Sequence, residues 1–364
     1  MKRIILTCIM LLLFGCSINA QKDTSWVTFR DEKTGLVGFR NHNGKVRIEA
    51  VYNDFTIARK FDKIVAVMEE NTGKSKPYYL TKSGKKFGIN SIYYFDNGPD
   101  CEREGYIRFR DNNTDKVGMF NGQGEIVIPA EYDDLTNVRN GLVVALKGAK
   151  KKYPRDSKPS DCNHFSWVGG KEYLIDTANY IIIENFKYES SLDFFSLKIE
   201  QEPVKDANRQ SFLGVDGRYY SFIDYKKEFQ NWLDSFLVDP PSPEKLIENS
   251  YHKIFFWKES DGWITETKIE FINKNYEYIE SKFKNLHEAT SDYSIFMDGL
   301  NPFIYTTSEF DAYYNNCKEP KDWQYPVMNV TINNKTEKVP YQDQFEFLRT
   351  ENGYKLISAT LKHE

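Results

Sequence analysis

The sequence predicts a mainly β N-terminal repeat domain, made of short-strand hairpin units of about 40 residues, followed by a C-terminal α+β domain. Three observations carry this. Residues 29–59, laid over 109–139 without a gap, share 14 of 31 positions. Unrelated sequences would share roughly two, and a repeat of fixed period outranks any local motif as a fold signal. The 80-residue offset divides in half, because Gly44, Gly84 and Gly124 are spaced by 40 and 40. Near Phe222 the apolar spacing turns helical, and no repeat is visible beyond it.

The chain opens with a targeting pattern. Lys2 and Arg3 precede an apolar run, Ile4 to Phe14, that is too short to span a membrane. Two processing sites compete. Ser17-Ile18-Asn19-Ala20 before Gln21 fits signal peptidase I, and Leu13-Phe14-Gly15-Cys16 fits a lipobox with Cys16 as the lipidated residue. Residues 1–20 are therefore read as a leader. The mature chain is expected to be exported to the periplasm, the cell envelope or beyond, and to meet a membrane only through such an anchor.

Residues 26–222 form the expected repeat domain. The turns Asn41–Lys45, Thr81–Lys85 and Asn121–Glu125 each hold a glycine where positive φ is needed. Val37, Phe39, Val46 and Ile48 flank the first turn, and Met119, Ile126 and Ile128 the third, in the alternation of a β-hairpin. An acidic aromatic step follows, Tyr52-Asn53-Asp54 or Tyr132-Asp133-Asp134, and then an apolar run, Ile64–Val67 or Leu142–Leu146. A fourth unit is expected at 173–183 with Asn179 in the turn, and a degenerate fifth at 212–218. Asn179 lies 55 after Gly124, so about 15 residues are inserted, placed at 147–170 as a basic loop.

Residues 223–364 form the expected α+β domain. Apolar residues from Phe222 to Leu237 have helical spacing, stopped by Pro240-Pro241. Ser242-Pro243 starts a short second helix. Strands are expected at 254–257, 263–271, 327–332, 344–349 and 354–361, the last two joined by a turn at Glu351-Asn352-Gly353. Residues 276–286 fit helix and strand equally.

Net charge is −4, which leaves no basic field for a phosphate backbone and argues against nucleic acid. Forty per cent apolar and 28% charged residues fit a globular protein. Of five cysteines, Cys8 and Cys16 fall in the leader. Cys101, Cys162 and Cys317 allow at most one internal disulfide, and the sequence does not choose the pair.

At the repeat, the residues resemble the WG-repeat (KWG) family. Val117-Gly118-Met119-Phe120-Asn121, Gly124, Ile126-Val127-Ile128-Pro129 and Tyr132-Asp133 follow its pattern. Val37-Gly38-Phe39-Arg40, Gly44 and Tyr52 follow it less closely. The family's tryptophan is replaced by Phe39 and Met119. The resemblance implies an all-β repeat that mediates interactions and has no catalytic residues. Phe345, Phe347, Tyr354, Leu356 and Ile357 give the C-terminal half a resemblance to the cone-shaped fold of the nuclear transport factor two superfamily, which hosts enzymes and binding modules alike.

The expected function is an exported non-catalytic interaction or scaffold protein, with a protein or envelope glycan as partner and no cofactor. Tyr52, Asp54, Tyr132, Asp133 and Asp134 are the candidate interaction residues. By repeat position they either hold the turns through Asx-type bonds or form an acidic row for a basic partner. One alternative is a ligand-binding or enzymatic pocket in the C-terminal domain, lined by one or two of Trp257, Trp263 and Trp323, with His252, Asp261 and His287 as titratable groups. The other is an inhibitor or immunity-type protein. The Asp161–His164 stretch lacks a matching second pair of metal ligands.

Overall fold

The computed structural model describes residues 24–70, 76–95, 98–153, 165–238, 241–258, 261–284, 286, 292–334 and 341–361. The leader with Cys16, and Cys162, His164, His287 and His363, lie outside them.

Five small antiparallel sheets of three or four strands follow one another before the first helix, and a two-stranded one, Tyr94–Phe95 with Gly98–Pro99, lies between the second and the third. The first is built from Trp26–Arg30, Val37–Arg40 and Val46–Tyr52, with Lys60–Phe61 pairing back on its opening strand. Ile64–Val67, Tyr78–Thr81 and Lys86–Phe87 make the second, and Ile107–Asp111, Lys116–Phe120 and Ile126–Tyr132 the third. The fourth contains Asp134–Leu135, Leu142–Lys152, Ser166–Asp176 and Ile181–Ile183. In the fifth, the last strand, Tyr219–Asp224, lies between Leu192–Glu200 and Arg209–Leu213, an order the other four do not share.

One turn design recurs in all five. Gly44, Gly84, Gly124, Asn179 and Gly217 all have φ between 67° and 85°. Each donates its amide to the carbonyl three residues earlier, that of Asn41, Thr81, Asn121, Asp176 or Gly214. In four units that earlier residue also caps the turn with its side chain. Asn41, Asn121 and Asp176 accept two amides on Oδ1, and the Thr81 hydroxyl accepts the amide of Lys85. The fifth has Gly214 there, and Asp216 Oδ1 accepts from the Arg218 amide instead.

Gly38 and Gly118 answer a different need. Their φ is ordinary, but a Cβ on Gly118 would lie 2.6 Å from both the Ile128 carbonyl oxygen and the Phe109 ring. Gly38 is in the same position against Ile48 and Phe29. Each glycine pairs across the sheet with that phenylalanine, whose ring covers the bare backbone.

The core of the array is segmented, each apolar cluster lying between consecutive sheets. Within Ile64–Val67, Val65 and Val67 pack toward the first sheet, whereas Ile64 and Ala66 pack toward the third. Within Leu142–Lys152, Val143 and Ala145 face the third sheet, and Leu142 and Val144 face the fifth. A strand buried on both faces needs an unbroken apolar run, which is why these two segments do not alternate.

The insertion in the fourth unit differs from expectation. At its described ends, 147–152 and 166–170, the expected loop is strand, because the hairpin arms lengthen, with Leu142 to Lys152 pairing Asp176 to Ser166, and 154–164 lie outside the described residues. Gly148, Gly169 and Gly170, all at positive φ, lie within the ladder.

In the C-terminal part, α1 (Tyr225–Phe236) starts three residues later than the apolar spacing suggested. Phe222 still pairs with Gln210, and Asp224 caps the helix by accepting from the Lys226 amide. α2 (Pro243–Glu248) carries Ser242 as cap and Pro243 in its first turn, as expected. The strand expected over 263–271 ends at Thr267, where α3 (Lys268–Lys284) begins. The Thr267 hydroxyl and the Glu270 carboxylate and amide bond reciprocally there, a capping box that outweighs the β-prone run before it.

Six strands form one sheet, in the order Gly262–Thr267, Ser250–Lys258, Gly353–Thr360, Tyr341–Thr350, Val327–Asn334, Tyr293–Asp298. The contact between Ser250–Lys258 and Gly353–Thr360 is parallel. The helices seal one face, with Phe229, Phe271, Phe283, Phe345 and Phe347 all at most 1% exposed. Segment 299–326 crosses the other face, burying Leu300, Tyr305 and Phe310 against Phe255, Val327 and Ile357.

Candidate functional site

The five candidate interaction residues serve the repeat in different ways. Tyr52 and Tyr132 are buried, at 3% and 4% exposure. The Tyr132 hydroxyl donates to Asn179 Oδ1 at 2.8 Å, tying the third unit to the turn of the fourth. Burial pushes the Tyr52 phenol well above its ordinary pKa. Asp133 is buried, pairs with Lys116 and accepts from the Ala149 amide at 2.7 Å. These bonds hold its pKa below the ordinary value against the opposing effect of burial. Asp134 accepts from the Tyr93 hydroxyl and the Trp167 indole. Asp54 pairs with Arg30, its side chain 81% exposed. Asp54 alone of the five is fully exposed and Asp134 is half-buried, so they do not form a continuous exposed acidic row. A different feature does recur on the surface. Two residues past the turn, on the terminal strand of their sheets, Val46, Ile126 and Ile181 are 40%, 58% and 40% exposed.

In the C-terminal part, His252 pairs with Glu309 at 2.9 Å near the start of Ser250–Lys258, whereas Asp261 follows the end of that strand. They are separated by roughly 20 Å along the strand, so they do not converge on one pocket. Trp257 and Trp263 pack edge to face on the hairpin, half exposed, while Trp323 lies elsewhere, largely buried, in the wall of a cleft.

Trp323 marks a junction that no sequence signal announced. A disulfide joins Cys101, between the second and third sheets, to Cys317 in the crossing segment. Beside it, the Asn316 carbonyl accepts the amides of Arg59 and Lys60, and the Asn316 side chain donates to Asp62 at 2.7 Å. Trp323 packs its ring 3.6 Å from the Arg103 guanidinium, with Arg139 5.4 Å away. The Tyr225 hydroxyl lies within hydrogen-bonding reach of the Trp323 and Gln324 carbonyls, linking the segment to the start of α1.

A cleft of about 450 Å³ opens along this junction, between the array and the crossing segment. Lys60, Arg103 and Lys321 supply its positive charge, and Phe195, 42% exposed, a bare aromatic surface. Burial, and then the neighbouring Lys60, lower the Lys321 pKa. Glu102 accepts the amides of Lys63 and Ile64 on one oxygen, and burial raises its pKa to about 7. The mixture can bind and orient a small polar molecule. Among the described residues, no group of three or more metal-ligating side chains occurs.

Residues 118–150 match the family described as WG containing repeat. The matched stretch runs from Gly118 through the third hairpin and into Leu142–Lys152 of the fourth sheet. It supports the WG resemblance read from the sequence. No curated protein and no solved structure matches the chain, and nothing found supports the nuclear transport factor two resemblance.

Proposed function

We propose that this WG-repeat-containing protein is an exported, non-catalytic interaction protein that engages a protein partner along the array. The observation that carries this is the recurrence of Val46, Ile126 and Ile181 as exposed aliphatic residues at one repeat position on terminal strands. A terminal strand presents unpaired backbone groups, and soluble proteins ordinarily blunt such edges with charge. Three aliphatic residues there favour a surface that is covered in use. The segmented core supports the same reading, because stacked units leave their surface positions free to diverge.

The test is cross-linking capture from cell-envelope extract with the full chain and with an Ile126→Glu/Ile181→Glu variant. A saturable partner that is lost with the double variant, at unchanged thermal stability, is the expected result. Equal capture by both proteins, or no partner at all, would overturn the proposal.

A further inference from the structure

Arg108 and Arg103, five residues apart, meet opposite fates. Arg108 is fully engaged, since its guanidinium grips both oxygens of Asp100 at 2.6 and 3.1 Å and donates to the Leu135 carbonyl at 2.8 Å. Arg103 is nearly as enclosed, its side chain 14% exposed, yet among the described residues its Nε and Nη1 find no acceptor, and neither does Nε of Arg139. The carboxylate paired with it, Glu319, stands off at 3.7 Å, is 44% exposed, and accepts from Asn315 at 2.6 Å. A desolvated guanidinium without a close carboxylate is costly. The Trp323 ring over its face offsets part of that cost.

We propose that the cleft binds a small ligand carrying one carboxylate, which displaces Glu319 and pairs with Arg103 while Lys60 and Lys321 flank it. Neither lysine forms an ion pair among the described residues, and the Lys321 ammonium donates only to the Ala312 carbonyl there. The walls also limit the ligand. Asp62, Glu102, Glu104 and Asp311 line the same cleft, each already accepting from a protein donor. Asp62, Glu104 and Asp311, joined by Glu102 when it is ionised, repel a polyanion, so the ligand carries a single anionic group, with hydroxyl or amide donors elsewhere to meet those acceptors. Phe195 offers its apolar part a surface, and about 450 Å³ suits a molecule of two or three sugar or amino-acid units. This site is separate from the edge-strand surface, and either proposal can fail without the other.

Titration calorimetry on the full chain, with D-glucuronate, N-acetylalanine and D-glucose as probes, tests it. At least one carboxylate is expected to bind and glucose is not, and whichever carboxylate binds more tightly identifies a sugar acid or a peptide-like acid as the source. Arg103→Gln is expected to weaken binding at least tenfold. Glu319→Gln, which removes the competing carboxylate, should tighten it severalfold, and Lys321→Gln should weaken it severalfold. If Arg103→Gln does not keep the native near-ultraviolet circular dichroism, the two rim variants decide. No binding by either carboxylate at millimolar concentration, equal binding of glucose, or unchanged affinity in Glu319→Gln and Lys321→Gln would overturn the proposal.

Discussion

Cys101 and Cys317 stand 216 residues apart and are bonded, closing the crossing segment of the C-terminal part onto the repeat array. Cys101 is buried and Cys317 half-buried, beside Asn316, whose carbonyl accepts two array amides. Closing so long a loop restricts the unfolded chain, an entropic effect of about 5 kcal/mol at this separation. Replacing both cysteines by alanine should therefore lower unfolding free energy by up to that amount in urea titrations. A loss below about 1 kcal/mol would mean that the other junction contacts suffice.

The two kinds of repeat glycine should respond differently to alanine. At Gly118 a methyl group meets the Ile128 carbonyl, which cannot retreat without breaking the sheet. Gly118→Ala is expected to cost more than about 2 kcal/mol, in the range of overpacked sites. Gly44 has open space around its Cβ position but a φ of 79°, so Gly44→Ala should cost only about 1 kcal/mol. Chemical denaturation of the two variants checks the order, and equal losses would contradict it.

Tyr132→Phe keeps the ring in its cluster but removes the bond to Asn179. A loss of about 1 kcal/mol is expected, with partner capture unchanged. Loss of capture at full stability would instead return Tyr132 to the interaction surface.

Glu102 sets a pH dependence. Its folded pKa, about 7, lies above the ordinary 4.5, so the folded state holds this proton more tightly than the unfolded chain does. Its contribution is full below pH 4.5 and is lost as pH rises through about 7, a change on the order of 3 kcal/mol. Glu102→Gln keeps an oxygen for the Lys63 and Ile64 amides and cannot ionise. Comparing unfolding midpoints at pH 5 and pH 8, the wild type should lose more stability than the variant. Parallel behaviour would exclude the effect.

The repeat was legible in the chain because its determinants are local. A turn that needs positive φ selects Gly or Asn at 44, 84, 124, 179 and 217, and a capping side chain three residues earlier recurs in four of the five. Helix caps were equally local. Ser242-Pro243 was legible, whereas the Thr267–Glu270 capping box was hidden behind a β-prone run. Pairings between residues far apart in the chain arose only from packing. That packing set the exceptional strand order of the fifth sheet, the parallel pairing beside Gly353–Thr360, the choice of Cys317 for Cys101, and the contact of Trp323 with Arg103. It also turned the recurring Tyr132 and Asp133 inward, since a hydroxyl or carboxylate that looks free in sequence is buried once a neighbouring unit supplies its partner. No spacing rule links residue 103 to residue 323. Only the packing of one part on the other brings an arginine without a close carboxylate to the wall of a cleft.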